Sequence, residues 1–126
     1  MKLARCAMAC ALLLVMIETA HADDLAFYST DGPMWIHLGA SGRVSGQYQQ
    51  DSGAYRTGRL TGSIRPDGTI EGSWLQAESD HPCTHPREGT MSWGNFMITN
   101  AWGPNPYGVW GYCSEAPNRS WNLQRR

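Results

Sequence analysis

From residue 43 onward, apolar residues recur at every second position, and no window repeats them at the three- and four-residue spacing of an amphipathic helix. Turn signals rich in Gly, Pro, Asp and Asn, such as "RPDG" and "WGPNPYG", separate the short apolar stretches. The pattern predicts about eight strands; these lie near 26–29, 34–38, 43–49, 54–64, 69–76, 90–100, 107–114 and 119–124. We therefore expect an all-β antiparallel meander, a pattern typical of a sandwich or an up-and-down barrel, and we favour a small up-and-down barrel.

The stretch "GRLTGSIRPDGTIEGSW" (58–74) predicts one hairpin with a defined register. "RPDG" is typical of a type I turn followed by a left-handed bulge residue, here Gly68. A three-residue loop at this point pairs Ile64 with Ile70 and Gly62 with Gly72.

The stretch "QDSGA" (50–54) predicts a second three-residue loop, formed by residues 51–53. This loop would pair Val44 with Leu60 and Gly46 with Gly58. Both registers divide the strands into a dry face and a wet face, as in an antiparallel sheet with one face on a core. The dry face comprises Val44, Gly46, Tyr48, Gly58, Leu60, Gly62, Ile64, Ile70, Gly72 and Trp74.

Glycines paired on the dry face have two interpretations. They permit the tight coiling of a small barrel, or allow bulky rings to lie over bare backbone; candidates for such rings are Trp35, Trp93 and Phe96. Alternatively, the paired glycines leave an open space for a ligand.

The N-terminal segment has the features of a secretory signal peptide. Lys2 and Arg5 precede the apolar run "ALLLVMI", which is followed by "AHA" ending at Ala22. We expect residues 1–22 to be removed and 23–126 to form one domain in the periplasm or outside the cell. The apolar run is shorter than the ~20 residues of a membrane span, and the mature chain offers no other candidate.

Two of the four cysteines precede the predicted cleavage site and two follow it. Because an isolated pair in an oxidising compartment most simply forms one disulfide, we expect Cys83 to bond to Cys113.

The formal net charge is −1, and the arginines are scattered along the chain. A polyanion-binding protein usually carries a basic stripe, so we do not expect nucleic acid as a partner.

"GRVSGQY" (42–48) resembles the opening strand of avidin-like barrels, with its G-x-L-x-G-x-Y pattern. The order "DGPMWIHL", "GRVSGQY", "GRLTGSI", "GTIEGSW" is similar to that of small exported bacterial all-β proteins of unassigned activity with an avidin-like or calycin-like pattern. The resemblance implies an eight-stranded barrel with a ligand in its mouth. Biotin-contacting residues do not map onto this chain one by one, so biotin binding is not implied.

"DHPCTHP" (80–86) could supply a metal site through His81, Cys83 and His85. Pro82 and Pro86 favour instead an extended path that scatters these side chains, and Cys83 is needed for the disulfide. The sequence contains no G-x-S-x-G or H-E-x-x-H motif, and no phosphate-binding glycine loop. We therefore expect neither an enzyme nor a metal or other cofactor.

The aromatic loops give the candidate site. "SWGNF" and "AWGPNPYGVWGY" place Trp93, Trp102, Tyr107, Trp110 and Tyr112 beside glycine and proline. If Val109 points inward, alternation turns the rings of Trp110 and Tyr112 outward. Such rings suit a sugar face or a protein hot spot. The alternative is that Trp93 and Trp110 belong to the core or cover the outside of a small barrel.

The sequence therefore predicts a non-catalytic binding protein for a glycan or a small amphipathic molecule. The alternative is an inhibitor or immunity protein that binds an envelope protein such as a cell-wall or secreted enzyme.

Overall fold

The computed structural model describes residues 23–50 and 56–126. Within these ranges the chain forms nine strands and no helix. The strands are β1 (Asp23–Tyr28), β2 (Pro33–Leu38), β3 (Arg43–Gln50), β4 (Arg56–Ile64), β5 (Ile70–Gln76), β6 (Ser92–Thr99), β7 (Tyr107–Trp110), β8 (Arg119–Asn122) and β9 (Gln124–Arg125). The predicted signal peptide, 1–22, and the predicted loop at 51–53 lie outside the described residues. A helix that could cross a membrane was not found in the described part of the chain.

The sheet is an antiparallel meander that nearly closes into a barrel. Strands β1 to β8 pair in chain order, and β9 pairs with β1 on the other side. Because only Leu123 separates β8 from β9, one short segment pairs with both sides of the sheet. The predicted all-β, up-and-down architecture is confirmed.

The β4–β5 hairpin has the predicted register. Gly62 pairs with Gly72 and Ile64 with Ile70. Gly68 adopts a φ of 89°, and its amide donates to the Arg65 carbonyl at 2.9 Å, as expected of the bulge residue after a type I turn.

The β3–β4 register differs from the prediction by two residues. Gly46 pairs with Leu60 rather than Gly58, and Gly58 pairs with Tyr48. A shift by two preserves the faces, because side chains alternate with a period of two. The shift has a packing reason: the Tyr48 ring occupies the space that a side chain at Gly58 would need. An aromatic ring thus covers the bare glycine from the neighbouring strand.

The paired glycines on β4 and β5 mark close backbone approach, not an open space. A β-carbon at Gly62 would overlap the Glu71 carbonyl oxygen and lie 2.8 Å from the Cα of Gly72. Of the three residues predicted to cover these glycines, Phe96 pairs with Gly72 and is buried. Trp35 and Trp93 lie on the outer face instead, because each alternates with inward residues of its strand.

Two apolar clusters hold the structure together. The main core fills the barrel and comprises Leu25, Phe27, Met34, Ile36, Leu38, Val44, Tyr48, Leu60, Ile70, Trp74, Phe96, Ile98, Ala101 and Trp121. A smaller cluster lies outside the sheet, where residues 77–91 fold over β5 and β6, and contains Leu75, Cys83, Trp93 and Cys113. The predicted disulfide between Cys83 and Cys113 is present in this second cluster.

The antiparallel order gives the barrel two distinct ends. The connections 29–32, 77–91 and 111–118 lie at one end, which we call the disulfide end. The connections 39–42, 65–69 and 100–106 lie at the other, which we call the hairpin end.

Candidate functional site

The aromatic residues predicted to form one site lie in three places. Trp93 is on the outer face and only 7% exposed. Its indole nitrogen donates to the His85 carbonyl at 2.7 Å, and the Arg87 guanidinium lies 3.7 Å from its ring centroid. Trp93 therefore attaches the 77–91 connection to the sheet.

Trp102 and Tyr107 lie at or near the hairpin end. Their exposed fractions are 41% and 48%, and neither is a member of the two buried clusters. The Tyr107 hydroxyl is 3.4 Å from the Ser120 hydroxyl, a contact along the outer face of β7 and β8.

Trp110 and Tyr112 lie together at the disulfide end and point inward, packing against the main core. Since Val109 alternates with Trp110, it lies on the outer face. The condition for outward-pointing rings is therefore not met, and Trp110 packs against the core, as the alternative interpretation predicted. The neighbouring strand β8 decides which side of β7 points inward, because Trp110 on β7 stacks on the buried Trp121 of β8, with ring centroids 6.2 Å apart.

A cluster of rings at the disulfide end is built from β5, the 77–91 connection, β7, the 111–118 connection and β8. We call it the mouth cluster, and it comprises Trp74, His81, Trp110, Tyr112 and Arg119. Trp74 on β5 forms its floor and meets Trp110 and Tyr112 edge to face, with both centroids at 5.9 Å. Trp110 and Tyr112 are themselves edge to face at 4.9 Å. This geometry is the favourable one for aromatic quadrupoles, so the rings hold one another in fixed orientations.

The floor of the cluster is tied to the backbone. The Trp74 indole nitrogen donates to the Gly111 carbonyl at 2.9 Å, and a β-carbon at Gly94 would overlap both groups. A glycine at position 94 is thus needed for this contact between β5 and the β7–β8 connection.

Two nitrogen-bearing side chains flank the rings. The Arg119 guanidinium carbon lies 4.9 Å from the Tyr112 centroid and 5.6 Å from that of Trp110. The His81 ring lies 4.4 Å from Tyr112. Arg119 is exposed, whereas Trp110 and Tyr112 are half-buried, so the cluster grades from an apolar floor to a cationic rim.

A polar pair lies inside the same end of the barrel. The buried Gln76 side chain donates to the Tyr48 hydroxyl at 2.7 Å, and the Tyr48 ring contacts Trp121 at 5.8 Å. Burial raises the pKa of the Tyr48 phenol above its ordinary value, against the opposing effect of the Gln76 hydrogen bond.

This shift predicts a loss of stability at alkaline pH. Above the ordinary phenol pKa of about 10, Tyr48 ionises in the unfolded chain while the buried phenol stays neutral, so the free energy of unfolding falls as pH rises. Urea unfolding at a series of alkaline pH values should show a shallower fall for Tyr48→Phe than for the wild type. An identical pH dependence would contradict the buried phenol.

The three candidate metal ligands, His81, Cys83 and His85, make separate contacts. Cys83 is in the disulfide, His81 stacks on Tyr112, and the His85 carbonyl accepts the Trp93 indole. Across 23–50 and 56–126, no three His, Cys, Asp or Glu side chains gather in a metal-binding arrangement.

Sequence reasoning missed that the side chains of Arg119 and His81 flank the rings of the mouth cluster. Arg119 becomes part of it only because β8 pairs with β7 so that Arg119 lies opposite Trp110. His81 is exposed in the 77–91 connection, and its contact with Tyr112 depends on where that connection crosses the barrel end.

Comparison with known proteins found no matching protein-family model, no similar curated protein and no similar solved structure. The function therefore has to be inferred from the geometry of this chain.

Proposed function

We propose that this protein is a non-catalytic binding protein of an exported compartment, and that it holds a small amphipathic molecule at the disulfide end of its barrel. The observation that carries the proposal is the half-buried pair Trp110 and Tyr112, continuous with the core below and covered by the Arg119 guanidinium above.

The arrangement favours a ligand with one apolar and one anionic part. The apolar part would displace water from the edges of Trp110 and Tyr112, at about 25 cal/mol per Å² of apolar surface buried. The anionic part would lie near Arg119, which presents several N–H donors in a planar fork. A disulfide beside the site is compatible with an exported protein.

The edge-to-face packing argues against a sugar at this position. A sugar ring binds best on an open, flat aromatic face with hydrogen-bonding groups around it. Here the faces of Trp110 are taken by Trp121 and Arg119, and Tyr112 lies between His81 and Trp110.

A titration with 1-anilinonaphthalene-8-sulfonate, a small aromatic anion, tests the proposal. We expect the purified native protein to bind the probe at one site, and Arg119→Gln to raise the Kd about tenfold, because a charge-assisted hydrogen bond contributes about 1.5 kcal/mol. Arg119 is exposed, so this variant should fold normally. Arg59→Gln, at another exposed arginine on the outer face of β4, is the matched control and should leave the Kd unchanged.

Two further variants separate the two ends of the barrel. Tyr112→Leu keeps apolar bulk but removes the ring and should weaken the probe, whereas Trp102→Ala at the hairpin end should not. Equal Kd values for Arg119→Gln, Tyr112→Leu and the wild type would refute the proposed site. Capture of an envelope protein through Trp102 and Tyr107, without binding of the probe, would favour the inhibitor or immunity-protein alternative.

A further inference from the structure

A groove crosses the outer face of β1, β2 and β3, on the side of the sheet away from the core. It has a volume of about 510 Å³, within the range of small-molecule sites. The outward side chains that line it are Asp24, Ala26, Trp35, His37, Ser45 and Gln47. No residue of the mouth cluster takes part, so this is a separate site.

One wall of the groove is an aromatic ring. Trp35 is 39% exposed although it lies in the middle of β2 and between two neighbouring strands. Its partner on β1 is Ala26, whose small side chain leaves room beside the indole. The same strands therefore supply a ring and the space next to it.

A cation extends the aromatic surface. The Arg126 guanidinium carbon lies 4.8 Å from the ring centroid of Tyr28 and 5.8 Å from that of Trp35. Tyr28 is 53% exposed and follows Ala26 on the same face of β1. Contacts of this kind limit the mobility of both rings, so less conformational entropy is lost when a ligand binds.

The remaining walls carry hydrogen-bonding groups. His37 and Asp24 are paired through Nδ1 and Oδ1 at 2.6 Å, which fixes the orientation of both side chains. Ser45 lies opposite His37, and Gln47 lies opposite Trp35. In the part of the chain that the structure describes, the side chains of Ser45 and Gln47 make no hydrogen bond to another residue, so their donors and acceptors are open to a ligand.

We propose that this groove binds a neutral pyranose unit of a glycan. Arg126 lies over one face of the Trp35 ring, so the C–H face of the sugar would lie against the other face. The hydroxyl groups of the sugar would bond to the Asp24 carboxylate, the His37 ring and the Gln47 amide. A hydroxyl both donates and accepts, which matches a groove that contains both an acceptor-only carboxylate and an amide.

Other ligand classes fit the groove less well. A wholly apolar ligand would bury the Asp24 carboxylate and the Gln47 amide without partners, which is costly. An anion would meet the Asp24 charge. An extended peptide cannot add to the sheet here, because β2 already has a hydrogen-bonded neighbour on each side.

The test uses two probes, cellotetraose and chitotetraose, with the protein purified after export. We expect at least one to shift the amide resonances of β1 to β3 with a single Kd, leaving those of the β7–β8 connection in place. Trp35→Ala should weaken binding at least tenfold. Trp102→Ala is a matched control, because Trp102 has nearly the same exposure as Trp35 and lies in the β6–β7 connection.

A second variant tests the polar wall. Asp24→Asn keeps the size of an exposed side chain and should weaken the oligosaccharide about fivefold. Neither variant should change the Kd of anilinonaphthalene sulfonate, so the proposal for the groove and the proposal for the mouth cluster are tested independently. The proposal is overturned if no β1–β3 resonance responds to either oligosaccharide, if Trp35→Ala and Trp102→Ala behave alike, or if only an envelope protein protects Trp35.

Discussion

Gly62→Ala is expected to lower the free energy of unfolding by about 3 kcal/mol or more, a larger effect than that of most single substitutions. The added methyl group would overlap the Glu71 carbonyl oxygen on β5 and approach the Cα of Gly72. Both obstacles are backbone atoms, so no side-chain rotation can relieve them. The strands would have to separate at the centre of the meander, where β4 pairs with both β3 and β5.

Urea unfolding followed by tryptophan fluorescence measures this effect. Gly39→Ala is the matched control, because a β-carbon there would meet only ordinary contacts, the nearest being the Arg43 carbonyl at 3.5 Å. We expect Gly39→Ala to unfold near the wild-type midpoint. A Gly62→Ala protein as stable as Gly39→Ala would mean that the two strands are not held as closely as the structure shows.

Replacing both Cys83 and Cys113 with alanine should cost about 4 kcal/mol. The disulfide joins residues 30 apart in sequence. In the chain-entropy model, closing a loop of that length lowers the conformational entropy of the unfolded chain and so stabilises the folded state by about 4 kcal/mol. Without the disulfide, the structure should open first at the 77–91 connection, because the bond ties this connection to the 111–118 connection rather than joining two core strands.

Hydrogen exchange can show this order. In the double variant, amides of the 77–91 connection should lose protection before those of β2 to β4. A reducing agent should lower the urea midpoint of the wild type and leave that of the double variant unchanged. Uniform loss of protection across all strands would contradict the local role of the disulfide.

The sequence was most informative where one short motif decides the local geometry. "RPDG" allows few backbone arrangements, so the pairing of Gly62 with Gly72 was predicted correctly. "QDSGA" is less restrictive, and the pairing of Gly46 was wrong by two residues. The assignment of side chains to the inner and outer faces of the sheet was still correct. Side chains alternate between the faces with a period of two, so a register shift of two residues leaves each one on the same face.

The orientation of Trp110 could not be derived from its own strand. Both alternating sets of residues in 107–113 contain apolar side chains, so periodicity does not select a face. The choice is made by β8, which brings Trp121 against Trp110. The disulfide was predictable because few cysteines are available, but the folding of 77–91 over β5 and β6 depends on contacts that no local pattern records.

The groove was missed for a related reason. Trp35 stands out in the sequence only as one of several tryptophans, and the paired glycines suggest that its ring covers them inside the barrel. Its value for binding depends on Ala26 and Gln47, which lie beside it because β2 pairs with β1 and with β3, and on His37 two residues along β2.

The segment containing β8 and β9 also has a consequence for how the protein folds. Until it is in place, β1 and β7 each present a row of unpaired backbone groups, which invite association with other chains. The pairing of β9 with β1 joins the two ends of the described sequence and is therefore among the slowest contacts to form. Partly folded chains should accordingly be at greatest risk of aggregation just before this last segment docks. A substitution that weakens the docking of the segment, such as Trp121→Ser, should lower the yield of folded protein. The loss of yield should be larger than the effect of the substitution on equilibrium stability alone would suggest.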